Sequence, residues 1–403
     1  MPEAVIVAAR RTPIGRAVKG SLAEVRPDDM VADVIGATIA QIGLTGDQID
    51  DVIVGCGLPG GEQGFNIARV ATLLLGWNST PGTTVNRFCA SSLQAIRMAV
   101  HAVRSGEGDC FVAAGVETVS RYAHGSADAF RPATDNPRFA PAKARTAALK
   151  SAGSTWTPDT DGLPDAYIDM GDTAENVADL CGVSRRTMDE FAVQSHTRAL
   201  AARDTGFWAD EIVPVTTPSG VVVDTDDGPR PDTSLEKLAA LPTRFRENGR
   251  VTAGNACPLN DGAAAVVVMS AERAAALGLT PLARVVASAV SALNPEIMGL
   301  GPVDACRRAM KSAGLKAADI DLLEINEAFA AQVIPSAEQL DIGWDRLNVN
   351  GGAIALGHPF GMTGARIMTT LVHSLQQHDK TFGMESMCVG GGQGMAMIVE
   401  RLS

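Results

Sequence analysis

Cys89 is the residue of this chain whose setting most favours nucleophilic chemistry. Thr83-Thr-Val-Asn86 reads as a strand and Arg87-Phe88 as a turn, and Leu93, Ile96, Val100 and Val103 recur at the spacing of a buried helix face ending at Gly106. Cys89 therefore falls at a helix N-terminus, where unpaired backbone N–H groups and the helix dipole lower a thiol pKa. No Asp or Glu occurs between Glu62 and Glu107, whereas Arg69, Arg87, Arg97 and Arg104 do, and cationic surroundings also favour a thiolate. The competing reading is a small buried hydrophobe, the ordinary fate of a free cysteine.

Three further segments offer partners. Asn350-Gly-Gly-Ala-Ile-Ala-Leu-Gly-His358-Pro-Phe-Gly361-Met-Thr-Gly364 reads as a strand end, a glycine-dense loop and a helix start, and glycines let a backbone approach another group closely. Of the six histidines only His358 is embedded this way; His101, His124, His196, His373 and His378 sit in polar or helical contexts and read as solvated or structural. Cys388-Val-Gly-Gly-Gly-Gln-Gly394 lies between apolar runs, and a hairpin needs tight-turn residues there but no cysteine. Leu322-Leu-Glu-Ile-Asn326-Glu-Ala-Phe329 reads as a strand passing directly into a helix. Asn326 is then either an N-cap or an amide that holds a water or a substrate carbonyl oxygen. A fourth motif, Gly55-Cys-Gly57-Leu-Pro-Gly60, matches a dinucleotide fingerprint, but Pro59 interrupts it and no acidic residue stands about 20 positions on to hold a ribose.

The elements that must position these residues alternate. Short β-rich runs at Ala4–Ala8, Asp51–Val54 and Ala264–Val268 separate longer helical patterns, the rhythm of α/β layers with mixed, mostly buried sheets. Gly43-Leu44 with Ile49-Asp50 recurs as Gly314-Leu315 with Ile320-Asp321, and Thr84-Val85-Asn86 is echoed by Asn348-Val349-Asn350. Two echoes in the same order imply that the first and last thirds are copies of one fold. Between them, residues 121–250 read as an inserted, loop-rich lid in which Pro132, Pro137, Pro141, Pro158 and Pro164 break up any long helix. That insert still holds a helix over Thr173–Leu180 and another from about Thr187, capped by Ser184.

Length and composition bound the rest. The 403 residues, 46% hydrophobic and 20% charged, describe a globular chain of two or three packed units with aliphatic cores, since aromatics are only 4%. A formal net charge of −12 argues against nucleic acid as a partner. Seven cysteines without a Cys-x-x-Cys pair argue against a disulfide framework or structural zinc, and so for a reduced compartment. The apolar stretch Ala4–Ala9 is too short for a signal peptide and runs into Arg10-Arg11, and nothing else reaches the length of a membrane span, so the expectation is a cytoplasmic protein.

With Val85-Asn-Arg-Phe-Cys89-Ala-Ser91, Asn326-Glu-Ala-Phe329, Gly357-His358-Pro359 and Cys388-Val-Gly390 in order, the chain resembles the thiolases, acyl-CoA C-acyltransferases. Gly115-Val-Glu-Thr-Val-Ser120, Met170-Gly-Asp-Thr-Ala-Glu-Asn176, Val251-Thr-Ala-Gly-Asn255 and Asn260-Asp-Gly-Ala263 extend the resemblance over the whole length. It implies an α/β fold of two duplicated βαβαβαββ halves in a five-layered α-β-α-β-α core with an inserted loop domain. The halves would be residues 1–120 with 251–275, and 276–403, with 121–250 as the coenzyme A-binding lid.

By the same resemblance Cys89 takes the acyl group of a 3-ketoacyl-CoA, His358 activates it, and Cys388 is the general acid/base. One oxyanion hole would combine His358 with a water on Asn326, the other the N–H groups of Cys89 and Gly390. Arg230, Leu241 and Phe245 would face the nucleotide end of coenzyme A, Ala253 and Cys257 its pantetheine, and Met170, Met298 and Phe329 the acyl pocket. Coenzyme A and acyl-CoA enter as substrates, no metal or permanently bound cofactor is implied, and a homodimer or homotetramer is expected, with room for a β-oxidation partner subunit. Three positions depart from the family pattern. Cys257 replaces a common serine, Asp169 stands where short-chain biosynthetic members tend to have histidine, and Ser92 takes the usual glycine place. The departures favour a broader 3-ketoacyl-CoA thiolase over an acetoacetyl-CoA-specific one. A decarboxylating ketoacyl synthase would pair its cysteine with two histidines, and a non-catalytic acyl-CoA- or lipid-binding relative would not need all four segments.

Overall fold

A computed structural model describes residues 2–124, 135–153, 155–157 and 162–403. The fully buried, β-branched and alanine-rich runs form strands, and the order of elements is the same twice. In the first half the strands Ala4–Arg11, Asp51–Gly55 and Gly82–Val85 alternate with the helices Pro27–Gln41, Ile67–Leu74 and Ser91–Ser105, and Cys110–Thr118 and Asn260–Ser270 complete the set. In the second half Ala283–Ala292, Gly301–Ala313, Leu322–Ile325, Ala330–Gln339, Thr363–Gln377, Phe382–Val389 and Gln393–Arg401 follow the same plan.

Sheet topology makes the duplication explicit. Counted within the first half, the strands lie side by side in the order third, second, fourth, fifth, first, with the first two joins parallel and the last two antiparallel. The second half repeats this order and these senses. Its third strand shrinks to one parallel bridge of Leu347 with Leu323, because Asn348 turns to φ +46° and its amide bonds both the N–H and the C=O of Ile325. The halves meet edge to edge where Val5 and Ile6 pair with Arg284 and Ala283.

Three apolar layers hold the sheets. Helices Ser91–Ser105 and Thr363–Gln377 fill the space between the two sheets with residues such as Leu93, Ile96, Met368 and Leu371. The outer faces are covered by Pro27–Gln41 and Ile67–Leu74 on one side and by Gly301–Ala313 and Ala330–Gln339 on the other, giving α-β-α-β-α. The first sequence echo does matching work in the two halves. Asp50 accepts from the amides of Asp109 and Cys110, and Asp321 from those of Thr381 and Phe382, so each pins the start of its half's fourth strand.

The segment from 119 to 259 separates the fourth and fifth strands of the first half. Ser184 caps the helix Arg185–Asp204 by accepting from Thr187 N, as its sequence predicts. The expectation that prolines break up the insert fails at Pro141, which lies in the first turn of the thirteen-residue helix Ala140–Ala152, where its missing N–H loses no bond. Pro132 and Pro158 lie outside the described residues. Helix Arg185–Asp204 packs on the second half: Arg198 donates to the carbonyls of Trp344 and Leu347, and Ser195 to the Glu327 carboxylate.

Candidate active site

Cys89 sits on a tight turn, Phe88–Ala90, between the strand ending at Val85 and the helix starting at Ser91. Phe88 has φ +44°, a conformation that costs a bulky residue roughly 1–3 kcal/mol and must be held by its surroundings. Three bonds hold it: Phe88 N to Asn86 Oδ1 at 2.7 Å, Ser91 Oγ to Phe88 O at 2.6 Å, and Arg87 N to Ser91 Oγ at 2.9 Å. A Cβ on Gly55 would lie 2.2 Å from Ser92 N, so glycine there lets the neighbouring strand reach the helix start. The result is a half-buried thiol facing a cavity.

The N–H groups of Gly390 and of Cys89 itself point at the Cys89 sulfur and favour the thiolate, but burial outweighs them and pushes the thiol up to about 11. The expected lowering by helix terminus and arginines is thereby overturned. Three of the four arginines are engaged elsewhere: Arg87 with Gln94 and Gln393, Arg104 with Val285 O, and Arg69 with the carbonyls of Trp77, Asn78 and Thr80. Cys89 rests as a neutral thiol.

His358 is 1% exposed and its tautomer follows from its partners. Thr363 Oγ1 spends its single proton on Pro359 O at 2.7 Å, so it can only accept from His358 Nδ1, also at 2.7 Å. Nδ1 therefore carries the proton and Nε2 is left as a lone pair, with the Asn326 amide nitrogen donating to it at 3.2 Å. Burial, helped by Arg366, depresses the imidazole to about 3, which keeps it neutral. Asn260 Oδ1 accepts from His358 N at 3.0 Å, and Phe360 stands edge-on to the ring at 5.1 Å.

Asn326 is not a helix N-cap. The following helix begins at Ala330 with Phe329 at the cap, which frees the Asn326 side chain to face His358, and its buried Oδ1 has no protein partner. The loop bearing it is anchored by Glu327, which accepts from Ser195, Asn348 and the amide of Ile354. Cys388 ends the strand Phe382–Val389, fully buried, and burial together with the nearby Cys89 and Cys257 thiols holds it well above the usual thiol range. All seven cysteines are free thiols.

A cavity of about 500 Å³ brings Cys89, His358 and Cys388 together with Met170, Phe245, Ala253, Cys257, Met298 and Phe329, and the other described residues on its wall include Asp169 and Arg244. Arg230 and Leu241 do not line it: the Arg230 backbone N–H donates to a buried His196, and Leu241 packs against the outer core of the second half. Gly390 borders a second cavity of about 230 Å³ that shares Cys89, Met170 and Phe360 with the first. Ser92 points away from both, accepting from Ala365 N at the start of the central helix Thr363–Gln377.

Sequence reasoning missed Thr363, Asn260 and Glu117. The signal for Thr363 was its place at the helix start that closes the glycine-dense loop of His358. Glu117 collects the amides of Gly57, Leu58 and Gly361, the Gln63 amide and the Tyr122 hydroxyl. The glycine-rich loop that matched a dinucleotide fingerprint thus spends its N–H groups on a protein carboxylate. Among the described residues no group of three or more His, Cys, Asp or Glu side chains could hold a metal ion, and no helix is long and apolar enough to cross a membrane.

Known proteins are similar to this chain along its whole length. The family described as Thiolase, N-terminal domain matches residues 4–272, and Thiolase, C-terminal domain matches 279–401. The chain is 43% identical to the 3-ketoacyl-CoA thiolase of Bacillus subtilis over 99% of its length and 100% of that protein. It is also 43% identical to the 3-oxoadipyl-CoA/3-oxo-5,6-dehydrosuberyl-CoA thiolase of Escherichia coli, and 42% to the acetyl-CoA acetyltransferase of Chromobacterium violaceum, over 100% and 99% of its own length and the whole of each relative. Among solved structures, the Bacillus anthracis acetyl-CoA acetyltransferase superposes with TM-score 0.86 at 38% identity, covering 100% of this chain and 99% of that one. Human mitochondrial 3-ketoacyl-CoA thiolase gives 0.86 at 36%, covering 99% of each.

Proposed function

Because the chain belongs to the thiolase family and is an acyl-CoA C-acyltransferase, we propose that it moves an acyl group between 3-ketoacyl-CoA and coenzyme A through an acyl-enzyme on Cys89. The observation that carries this is the Cys89 thiol, facing a cavity under two N–H groups while His358 in the same cavity wall keeps Nε2 unprotonated.

The chemistry follows from two neutral groups. Neither a thiol near 11 nor an imidazole near 3 ionises alone at neutral pH, so the proton leaves sulfur for Nε2 only as sulfur attacks the 3-keto carbon. The amides of Cys89 and Gly390 supply one oxyanion hole, and His358 with a water on the free Asn326 oxygen supplies the other; each such donor is typically worth roughly 3–4 kcal/mol. Breaking the C2–C3 bond leaves the enolate of acetyl-CoA, which takes the Cys388 proton and departs. The thiol of an incoming coenzyme A returns a proton to Cys388 and attacks the acyl-enzyme; the Cys89 sulfur leaves, takes back the proton held on His358 Nε2, and the shortened acyl-CoA is released. Condensation is the same sequence reversed.

Coenzyme A is a substrate in this scheme, and the chain's own residues supply every catalytic group. The reading extends to a cytoplasmic β-oxidation enzyme that works as a homodimer or homotetramer. The open sheet edge at Gly82–Val85, with Phe65, Leu73 and Leu74 exposed nearby, supports self-association. Loss of 3-ketoacyl-CoA absorbance on adding coenzyme A tests the activity. Wild type is expected to turn over acetoacetyl-CoA and Cys89→Ala is not; equal rates would end the proposal.

A further inference from the structure

The 42–43% identical relatives carry names for three kinds of acyl group, so sequence identity alone does not choose among neutral chains, carboxylate-ended chains and acetoacetyl alone. The two cavities that meet at Cys89 do. The larger has Arg244 and Asp169 on its wall together with His358 and Cys388. The smaller lies across the thiol, and its walls are Leu58, Phe88, Ala166, Tyr167, Ile168, Met170, Phe360 and the backbone of Gly57, Gly390 and Gly391.

We propose, resting on the thiolase reading above, that this smaller cavity receives the acyl chain carried on Cys89 and selects neutral, apolar chains of medium length against carboxylate-ended ones. Three observations carry it. First, among the described residues the only polar side-chain groups on its wall are the Cys89 thiol and the Tyr167 hydroxyl, and no described Lys, Arg or His lines it. A terminal carboxylate placed there would be desolvated without a cation, a large penalty. Second, the negative charges stand close behind. Glu117 lies fully buried beneath Gly57 and Leu58, bonded to both amides, and Asp169 follows Ile168 in the segment dividing the two cavities, where its side chain makes no cap hydrogen bond. Third, size sets a limit. At roughly 30 Å³ per water-sized group, a cavity of about 230 Å³ holds on the order of seven methylene-sized groups. That matches the six-carbon acyl group left on Cys89 by 3-ketooctanoyl-CoA, and it leaves an acetyl group with most of the pocket empty.

The test compares kcat/KM for thiolysis of acetoacetyl-CoA, 3-ketohexanoyl-CoA, 3-ketooctanoyl-CoA and 3-ketoadipyl-CoA. The hexanoyl and adipyl esters differ only in the terminal carboxylate. Wild type is expected to prefer 3-ketohexanoyl over 3-ketoadipyl by about tenfold or more, and 3-ketooctanoyl over acetoacetyl. Leu58→Trp, which fills the cavity from its rim, is expected to lower the 3-ketooctanoyl-to-acetoacetyl ratio about tenfold. Tyr167→Arg, at a position 44% exposed and so tolerant of change, is expected to raise the 3-ketoadipyl-to-3-ketohexanoyl ratio. A wild type that cleaves 3-ketoadipyl-CoA as well as 3-ketohexanoyl-CoA overturns the selectivity, and ratios untouched by both variants overturn the location. Either result leaves the thiolase reading standing, because acetoacetyl-CoA cleavage that depends on Cys89 reports on that separately; a wild type that cleaves none of the four ends both.

Discussion

Replacing Thr363 by valine removes one hydroxyl from a fully buried position and keeps the shape of the side chain. In the native site that hydroxyl donates to Pro359 O and accepts from His358 Nδ1, both at 2.7 Å, which fixes the proton on Nδ1. In Thr363→Val the Nδ1–H faces a methyl group, and a buried donor without a partner costs about 1–3 kcal/mol. The imidazole escapes by moving its proton to Nε2, where Asn326 can rotate and offer its otherwise unpartnered Oδ1. The lone pair then points away from the reacting thiol. The same 1–3 kcal/mol, read as the population of the competent tautomer, predicts a fall in kcat/KM for acetoacetyl-CoA of roughly 5- to 150-fold. The acylation step should carry the loss, seen as a slowed burst of acetyl-CoA release, with little change in the binding of coenzyme A. Thr363→Ser, which keeps the hydroxyl, should stay within about threefold of wild type. A valine variant within about twofold of wild type would refute the assignment of the tautomer to Thr363.

Other outcomes follow from the same geometry. Alkylation of Cys89 by iodoacetamide should keep accelerating through pH 9 toward a midpoint near 11, since burial raises the thiol; a plateau below pH 8 would mean that the amides and helix terminus outweigh burial. Of the three thiols on the cavity wall, Cys257→Ser should retain turnover within a few-fold, whereas Cys388→Ala should still accept an acetyl group from acetyl-CoA but lose carbon–carbon cleavage; the reverse pattern would exchange their roles. Glu385 is fully buried with neither carboxylate oxygen partnered, and burial lifts its pKa well above the ordinary carboxylate value, with Glu324 adding to and Arg366 opposing the shift. Folding thus takes up a proton at this group, so its contribution is intact below about pH 4.3 and declines as pH rises toward the folded pKa. The Tm of Glu385→Gln relative to wild type should therefore rise from pH 5 to pH 9, and a flat difference would place an ionised Glu385 against Arg366.

Much of the fold was legible because it is written in local pattern. The runs at Ala4, Asp51 and Ala264 became strands, Gly106 ended its helix at φ +78°, and the Asp50 and Asp321 echo marked two carboxylates with one task. The segments that meet at the cavity were legible because cysteine, histidine and asparagine in glycine-rich settings have few structural reasons to be there. What escaped was set by distance in space. The Cys89 thiol was expected to be acidic from its helix and its arginines, yet burial, which no local pattern reports, decides it, and the side chains of Arg69, Arg87 and Arg104 reach elsewhere. For Asn326 the cap alternative stayed open because strand and helix adjoin in sequence; the antiparallel bridge of Ala256 with Phe329 closes it by holding the chain extended for one more step before the helix begins. Arg230 and Leu241, expected at the nucleotide end of coenzyme A, lie outside the cavity at Cys89, on an insert whose path is fixed by contacts such as the Arg230 amide to His196, far apart in sequence. Thr363 gained its role only from the rotation of a helix start under an imidazole.

The most direct test of the account is to mix the protein with acetoacetyl-CoA in the absence of free coenzyme A, quench, digest and weigh the cysteine peptides. The account predicts release of acetyl-CoA and one acetyl group on the peptide containing Cys89, removed again when coenzyme A is added. An acetyl group found instead on Cys257 or Cys388, or no acetylated peptide from protein that turns over in the complete assay, would contradict it.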